Sequence, residues 1–232
     1  MYDTNQDPTD QDGKGTLNAD YATRLKNFFA LYNKSEPDLS KGYTEFDLEK
    51  ELGVCAHFPY GYVSEKDGDA IKPCIVLKMN NIWSWKPEPI DAEDLEENPD
   101  WPDSLKDNFN SLSDDERQQV FVDCQGESSV DQEPINEGVT FIPKTKGFPI
   151  KSFPYKGHKE RYYPSLVALQ FDGNKLKNFT EVSIAWVKSY FLSLILCFVF
   201  QEMITVKCKA YYKGGLSHGE FRVRFQKEKN FR

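Results

Sequence analysis

Six short stretches of this chain run apolar, or alternate apolar with polar, over four to eight residues. Cys74–Met79 is β-branched and apolar, and Gln119–Cys124 alternates with Val120, Val122 and Cys124 on one face. Val139–Ile142 is cut off by Pro143, and Leu166–Phe171 is a further apolar run. Met203–Ala210 alternates with Ile204, Val206, Cys208 and Ala210 on one face, and Phe221–Phe225 alternates cleanly. Short strands of this kind, punctuated by glycine and proline, predict a mostly β chain folded as an antiparallel sandwich. Cys124 and Cys208 both fall on inward faces, as an inter-sheet bridge requires. Closing so long a loop stabilises by roughly 4 kcal/mol on the chain-entropy model. A short helix precedes the strands. Within Tyr21–Tyr32, the residues Leu25, Phe28, Phe29 and Tyr32 follow i, i+3, i+4, i+7. That stripe is expected to dock on its own domain. Residues 1–20 are polar and read as disordered, and 33–54 read as loop.

The chain has 232 residues, room for one sizeable domain or two small ones. A hydrophobic content of 39% with 14% aromatics is enough to bury a core, which excludes global disorder. The net charge of −8 disfavours a whole-chain nucleic-acid binder or a basic membrane-surface protein. The charge is concentrated. Residues 91–117 hold eleven acids against Lys106 and Arg117, a local charge of −9, and read as a solvated acidic loop. A calcium loop would need regular Asp/Asn spacing around a glycine, which this segment lacks. Asp10–Gly13 fails the same test, because Pro8 and Ala19 stand where carboxylates are needed. His57, His158 and His218 lie far apart and in no metal spacing. No transmembrane helix is obvious at first reading, and the polar N-terminus is not a signal peptide.

Five cysteines are present, Cys55, Cys74, Cys124, Cys197 and Cys208, none in a C-x-x-C pair. This argues against zinc and thioredoxin-type chemistry. Cys197 lies in the apolar run Phe191–Phe200, whereas the other four stand beside polar or turn residues. Those four suffice for two bridges. Two glycosylation sequons, at Asn33 and Asn178, add to the even cysteine set and tilt the compartment toward the extracellular side.

The ordered motifs carry the most specific information. Upstream stand Tyr60-Gly61-Tyr62, Lys72-Pro73-Cys74-Ile75 and Trp85-Lys86-Pro87-x-Pro89. They are followed by Cys124-Gln125-Gly126-Glu127, Pro143-x-x-x-Gly147-Phe148-Pro149, Phe153-Pro154-Tyr155, Tyr163-Pro164-x-Leu166-Val167-Ala168-x-Gln170-Phe171 and Cys208-Lys209-Ala210. Over about residues 21–227 the set resembles the extracellular domain of the beta subunit of the sodium/potassium pump, a P-type ATPase. The resemblance implies an immunoglobulin-like sandwich on the outer face of the plasma membrane, with no enzymatic activity of its own and no cofactor. It implies a catalytic alpha subunit as partner, which such a subunit helps to fold, to reach the surface and to occlude potassium. It pairs Cys55 with Cys74 and Cys124 with Cys208, and places a glycan near Asn178. Tyr60, Tyr62, Trp83 and Trp85 match regions of the ectodomain core and its alpha-facing side, core packing being the first expectation for each. The family also has a cytoplasmic tail, one transmembrane helix and usually a third disulfide before this region. This chain starts at Met1 without them and so looks partial, with membrane association through the alpha subunit or a missing N-terminal span.

Another departure is the apolar stretch Val182–Phe200. Removing its 19 residues joins Asn178–Glu181 to Gln201–Tyr212, restores the family spacing and leaves four cysteines. Three readings are open. A transmembrane helix is interrupted by Lys188, and would put Cys124 and Cys208 on opposite sides of a bilayer. A hairpin or helix packed on the sandwich is the second. The third, which we favour, is a translated intron, since Val-Ser can be encoded by a donor-site sequence and Phe191–Gln201 by a pyrimidine-rich tract ending in CAG. Under either of the last two the insert enters a loop, where closure entropy is least affected. Cys197 is then a free thiol that competes for the proper partners. Deleting 182–200 should raise the yield of soluble, correctly oxidised protein; equal yields in an oxidising host would contradict this.

A non-catalytic pump subunit is therefore the leading functional expectation. A stand-alone extracellular adhesion or binding module of the same fold is the alternative. A hydrolase has little support, because no histidine sits in a recognisable constellation and a solvated acidic loop tunes no carboxylate.

Overall fold

A computed structural model describes residues 16–32, 46–62, 71–80, 84–154, 165–175, 181–183, 203–214 and 220–226. The period-two segments form strands, and their alternation decides which face each presents to the core. β1 (Cys74–Lys78), β3 (Val139–Ile142) and β5 (Leu166–Phe171) make one antiparallel sheet in the order β1-β5-β3. β2 (Gln119–Gly126), β4 (Gly147–Pro149), β6 (Glu181–Ser183), β7 (Met203–Tyr211) and β8 (Glu220–Gln226) make a second, in the order β4-β2-β7-β8-β6. One core joins the two sheets. It takes Ile75 and Leu77 from β1, Leu166–Leu169 and Phe171 from β5, Val120 and Val122 from β2, and Val206 from β7. The chain is thus mostly β and built as a sandwich.

Cys124 and Cys208 occupy the inward faces their alternation predicts, yet the bridge between them does not join the two sheets. They are directly opposed partners on neighbouring strands β2 and β7 of one sheet, with Cα atoms 4.0 Å apart. Alternation fixes the face of a residue and says nothing about which strand lies beside it. Two inward residues on adjacent strands satisfy the same pattern as two on facing sheets.

Among the described residues, five α-helices accompany the strands. α1 (Thr16–Tyr32) begins five residues before the predicted Tyr21, so the end of the segment read as disordered is helical. Ala22, Phe29 and Tyr32 are buried in the sandwich core, with Leu25 and Phe28 packed against it. The predicted stripe therefore docks on its own domain. α2 (Leu48–Leu52) lies within the stretch read as loop, and its N-cap Asp47 accepts bonds from the amides of Glu49 and Lys50, both at 3.1 Å. α2 packs on β5, which is buried along both faces.

The acidic segment is not a solvated loop. It holds α3 (Ala92–Glu97) and α4 (Asp103–Ser111), which cover the outer face of the five-stranded sheet. Leu105 and Phe109 of α4 join Ile90, Phe121 and Tyr211 in a second apolar cluster, against which Leu95, Trp101 and Leu112 pack. Nine of the eleven acids are exposed, Asp91 and Asp94 being half-buried at the start of α3, while Leu105, Phe109 and Leu112, spaced i, i+4, i+7, anchor the cap. Hence β2 is buried on both sides, with Val120 and Val122 facing the sandwich core and Phe121 facing the cap. α5 (Ser129–Gly138), closed by a capping box between Ser128 and Asp131, covers the Gly126 end of β2.

β6 contains Val182 and Ser183, the first two residues of the apolar stretch, so that stretch begins inside the sheet and not in a plain loop. β6 and β7 both run antiparallel to β8, one on each side of it. The chain therefore passes from one side of β8 to the other between residues 183 and 203. Residues 184–200 with Cys197, and both sequon asparagines Asn33 and Asn178, lie outside the described residues.

Candidate functional site

The Cys55–Cys74 bridge organises the end of the domain where the Tyr60-Gly61-Tyr62 motif sits. Cys55 lies in the 3-10 turn Gly53–Ala56 and Cys74 opens β1, 19 positions later. Between them the chain turns on its own amides: Tyr60 N–H donates to His57 O at 2.7 Å, and Tyr62 N–H to Pro59 O at 3.1 Å. The turn is clamped to the start of β1, with Lys72 N–H on Gly61 O at 3.0 Å and Cys74 N–H on Tyr60 O at 2.9 Å. Gly61 has φ +74°, and a β-carbon there would fall onto the carbonyl of Lys72. The motif's glycine is thus explained by close backbone approach and left-handed geometry together.

The two tyrosines of this motif belong to the core. Tyr60 and Tyr62 are 4% and 2% exposed and pack in the sandwich core, as first expected for them. Tyr60 stacks edge-on against Phe29 of α1 at 5.2 Å, and Tyr62 lies 6.0 Å from Tyr21. The Tyr62 hydroxyl donates to the carbonyl of Cys74 at 3.0 Å. Burial, and secondarily the neighbouring Tyr21, pushes the Tyr62 hydroxyl well above the usual tyrosine range. Tyr62→Phe should cost about 1 kcal/mol, the net worth of one buried hydrogen bond. A shift in the urea midpoint checks this, and an unchanged midpoint would contradict it.

Trp85 is half-buried at the flank of the sandwich, edge-on to Phe153 at 5.5 Å and to Tyr212 at 5.3 Å. Trp83 lies outside the described residues. Beyond Trp85 the chain is tied to the end of β7. Lys213 N–H donates to Glu88 O at 2.9 Å, and the Lys213 ammonium meets the Asp91 carboxylate at 2.6 Å. Asp91 is also the N-cap of α3, in a reciprocal box with Asp94. The Lys213 hydrogen bond is the main cause holding the Asp91 carboxyl below its ordinary range, with the Asp94 amide next.

At the other end of the cap a buried carboxylate faces the opposite way in energy. Asp123 on β2 accepts a bond from the Ser104 hydroxyl of α4 at 2.6 Å. Burial pushes its carboxyl up, against the opposing pull of Ser104, Lys146, Gln125 and Lys209. Tyr211, beside it on β7, is pushed up to about 12 by burial and by the Asp123 charge. The signs of the two aspartates differ. Asp91's contribution is present above the ordinary aspartate range and is lost as pH falls through its lowered folded value. Asp123's contribution is fully present below that range and is lost as pH rises through its raised folded value. Asp123→Asn should therefore be more stable than the parent at neutral pH and equal to it in acid. Thermal unfolding across pH checks this, and a variant less stable at neutral pH would overturn it.

Beside Asp123 opens a groove of about 270 Å³, floored by Asp123 and Cys124 and rimmed by α5, β3 and the Lys144–Lys146 turn. Among the described residues no cluster of His, Cys, Asp and Glu has the makings of a metal site. The sequence also holds one G-x-S-x-G pentapeptide, Gly215-Leu216-Ser217-His218-Gly219, outside the described residues. It joins the antiparallel neighbours β7 and β8. A nucleophile elbow turns from strand into helix, so this context does not support one.

Comparison with known proteins gives a concordant set. A family model described as the sodium/potassium ATPase beta chain matches residues 24–186, ending inside the apolar stretch. The chain is 32% identical over 185 residues to sodium/potassium-transporting ATPase subunit beta-1 of Drosophila melanogaster, covering 77% of this chain and 58% of that protein. It is 36% identical over 107 residues to subunit beta-2 of the same organism, covering 44% and 32% respectively. A probable beta-3 subunit of Caenorhabditis briggsae is 22% identical over 161 residues, covering 62% and 40%. The matched stretches thus span between 32% and 58% of the length of these curated relatives. No helix among the described residues is long and apolar enough to cross a membrane.

Proposed function

Since the chain belongs to the sodium/potassium ATPase beta-chain family, we propose that it serves as the non-catalytic beta subunit of such a pump, partnering the catalytic alpha subunit. The observation that carries this reading is the family match across residues 24–186, from α1 into the apolar stretch that begins within β6. In this role the domain stands on the extracellular side of the plasma membrane. It assists the alpha subunit's folding, its delivery to the surface and its handling of potassium. Asn33 and Asn178 carry glycans there. A sheet cross-linked between its central strands and a turn cross-linked to β1 give a domain that keeps its shape outside the cell, an oxidising environment in which such bridges form and persist. That rigidity suits a surface on which a membrane partner completes its own folding, because little ordering entropy is lost on association. Of the aromatics considered for the interface, Trp85 keeps partial exposure and is the contact we retain.

The test is delivery of the partner. Alpha subunit is expressed in cells depleted of their own beta subunits, with and without this chain tethered outside by an N-terminal span. Surface labelling should show more alpha subunit, and potassium uptake should rise, only when the chain is present. Equal surface alpha subunit in both cultures would refute the proposal.

A further inference from the structure

The two bridges are not equally protected. Cys55 and Cys74 are 0% and 1% exposed, whereas Cys124 is 8% and Cys208 3% exposed. Cys124 also lines the open groove beside α5, and Cys55, Cys74 and Cys208 do not. The charged side chains lining that groove are Lys144 and Lys146 against Asp123 alone. The Asp123 carboxylate is already engaged by Ser104 at 2.6 Å. A groove this size holds far more than one water, which needs only about 10–15 Å³. It therefore admits the thiol arm of a small molecule with polar ends.

We propose that this groove is a binding site for a small anionic thiol, through which the Cys124–Cys208 bridge is selectively opened. The attacking species in disulfide exchange is a thiolate, so a local excess of lysine raises its concentration at the sulfur. The thiolate sulfur attacks Sγ of Cys124 and forms a mixed disulfide there. The Cys124–Cys208 bond breaks, and its electron pair leaves on Sγ of Cys208, which takes a proton from solvent. A second thiol displaces Cys124 and carries the oxidising equivalents away as the thiol's own disulfide. β2 and β7 keep their backbone ladder throughout, since they are paired from Phe121 to Gly126. The domain therefore loosens without immediately coming apart, and the bridge acts as a redox-set stability control.

The oxidised full chain is incubated with reduced glutathione, quenched by alkylation at intervals and mapped by peptide mass. Cys124 and Cys208 should open before Cys55 and Cys74, with the first glutathione adduct on Cys124. The double variant Lys144→Gln, Lys146→Gln should slow glutathione by roughly threefold or more, as expected for lost electrostatic steering, while leaving neutral 2-mercaptoethanol unaffected. Added salt should slow glutathione on the parent chain in the same way. Three results would each overturn the proposal: Cys55–Cys74 opening first, the first adduct on Cys208, or variant and salt slowing both thiols alike.

Discussion

Replacing Cys124 and Cys208 together by alanine should remove about 4–5 kcal/mol of folding stability, the largest single effect expected in this chain. The bridge closes a loop 84 residues apart in sequence. On the chain-entropy model it acts by restricting the unfolded ensemble, and the restriction grows with the logarithm of loop length. Its place in the fold makes the model unusually apt. The two residues are already opposed in one ladder, so the native sheet keeps its hydrogen bonds when the sulfurs go. The Cys55–Cys74 bridge spans only 19 positions, and its removal should cost about 3 kcal/mol on the same model. Domains of this kind are stable by roughly 5–15 kcal/mol in all, so the first loss is a large fraction of the total. Urea unfolding of both double variants measures the two losses. A cost below that of the shorter loop for the 124–208 pair would contradict the account.

Phe121→Ala should cost about 3–5 kcal/mol, the range for emptying a buried aromatic site. Phe121 is fully buried between β2 and the cap, 5.8 Å from Phe109 ring to ring. It also shares its cluster with Leu105, Ile90 and Tyr211, which cannot all collapse into the space. Trp101, edge-on to Tyr211 at 5.4 Å, reports the damage through its fluorescence. Proteolysis should become faster within 91–117 before it does elsewhere. A conservative change on the outer face of the cap, Glu96→Gln, should leave the unfolding midpoint unchanged. If Phe121→Ala behaved like Glu96→Gln, the acidic segment would not be a packed cap.

These two effects mark where the sequence is legible and where it is not. Six strands are visible because each either alternates with a period of two or runs apolar over a strand's length, and their cysteines and motifs carry the family. The three-residue strands β4 and β6 are too short to show a period. The partner of each strand is set by the path of connections, which alternation does not encode. That is why Cys124 and Cys208 read as an inter-sheet pair and form an in-sheet one. In 91–117 the eleven acids mask a helical stripe of Leu105, Phe109 and Leu112. Capping signatures were present at Asp91/Asp94 and at Ser128/Asp131, and they mark the starts of α3 and α5. Pro134 inside α5 hides the second. For Tyr60 and Tyr62 residue type alone fits either a core or an interface, and their packing against Phe29, Tyr21 and Cys74 is visible only in the fold.

The most direct measurement is co-purification of the catalytic alpha subunit with this chain, tethered outside the membrane by an N-terminal span, from a mild detergent extract. The account predicts recovery of the two in equal amounts, stable to salt and lost when both bridges are reduced. Alpha subunit that passes through unbound, beside oxidised and folded chain, would contradict it.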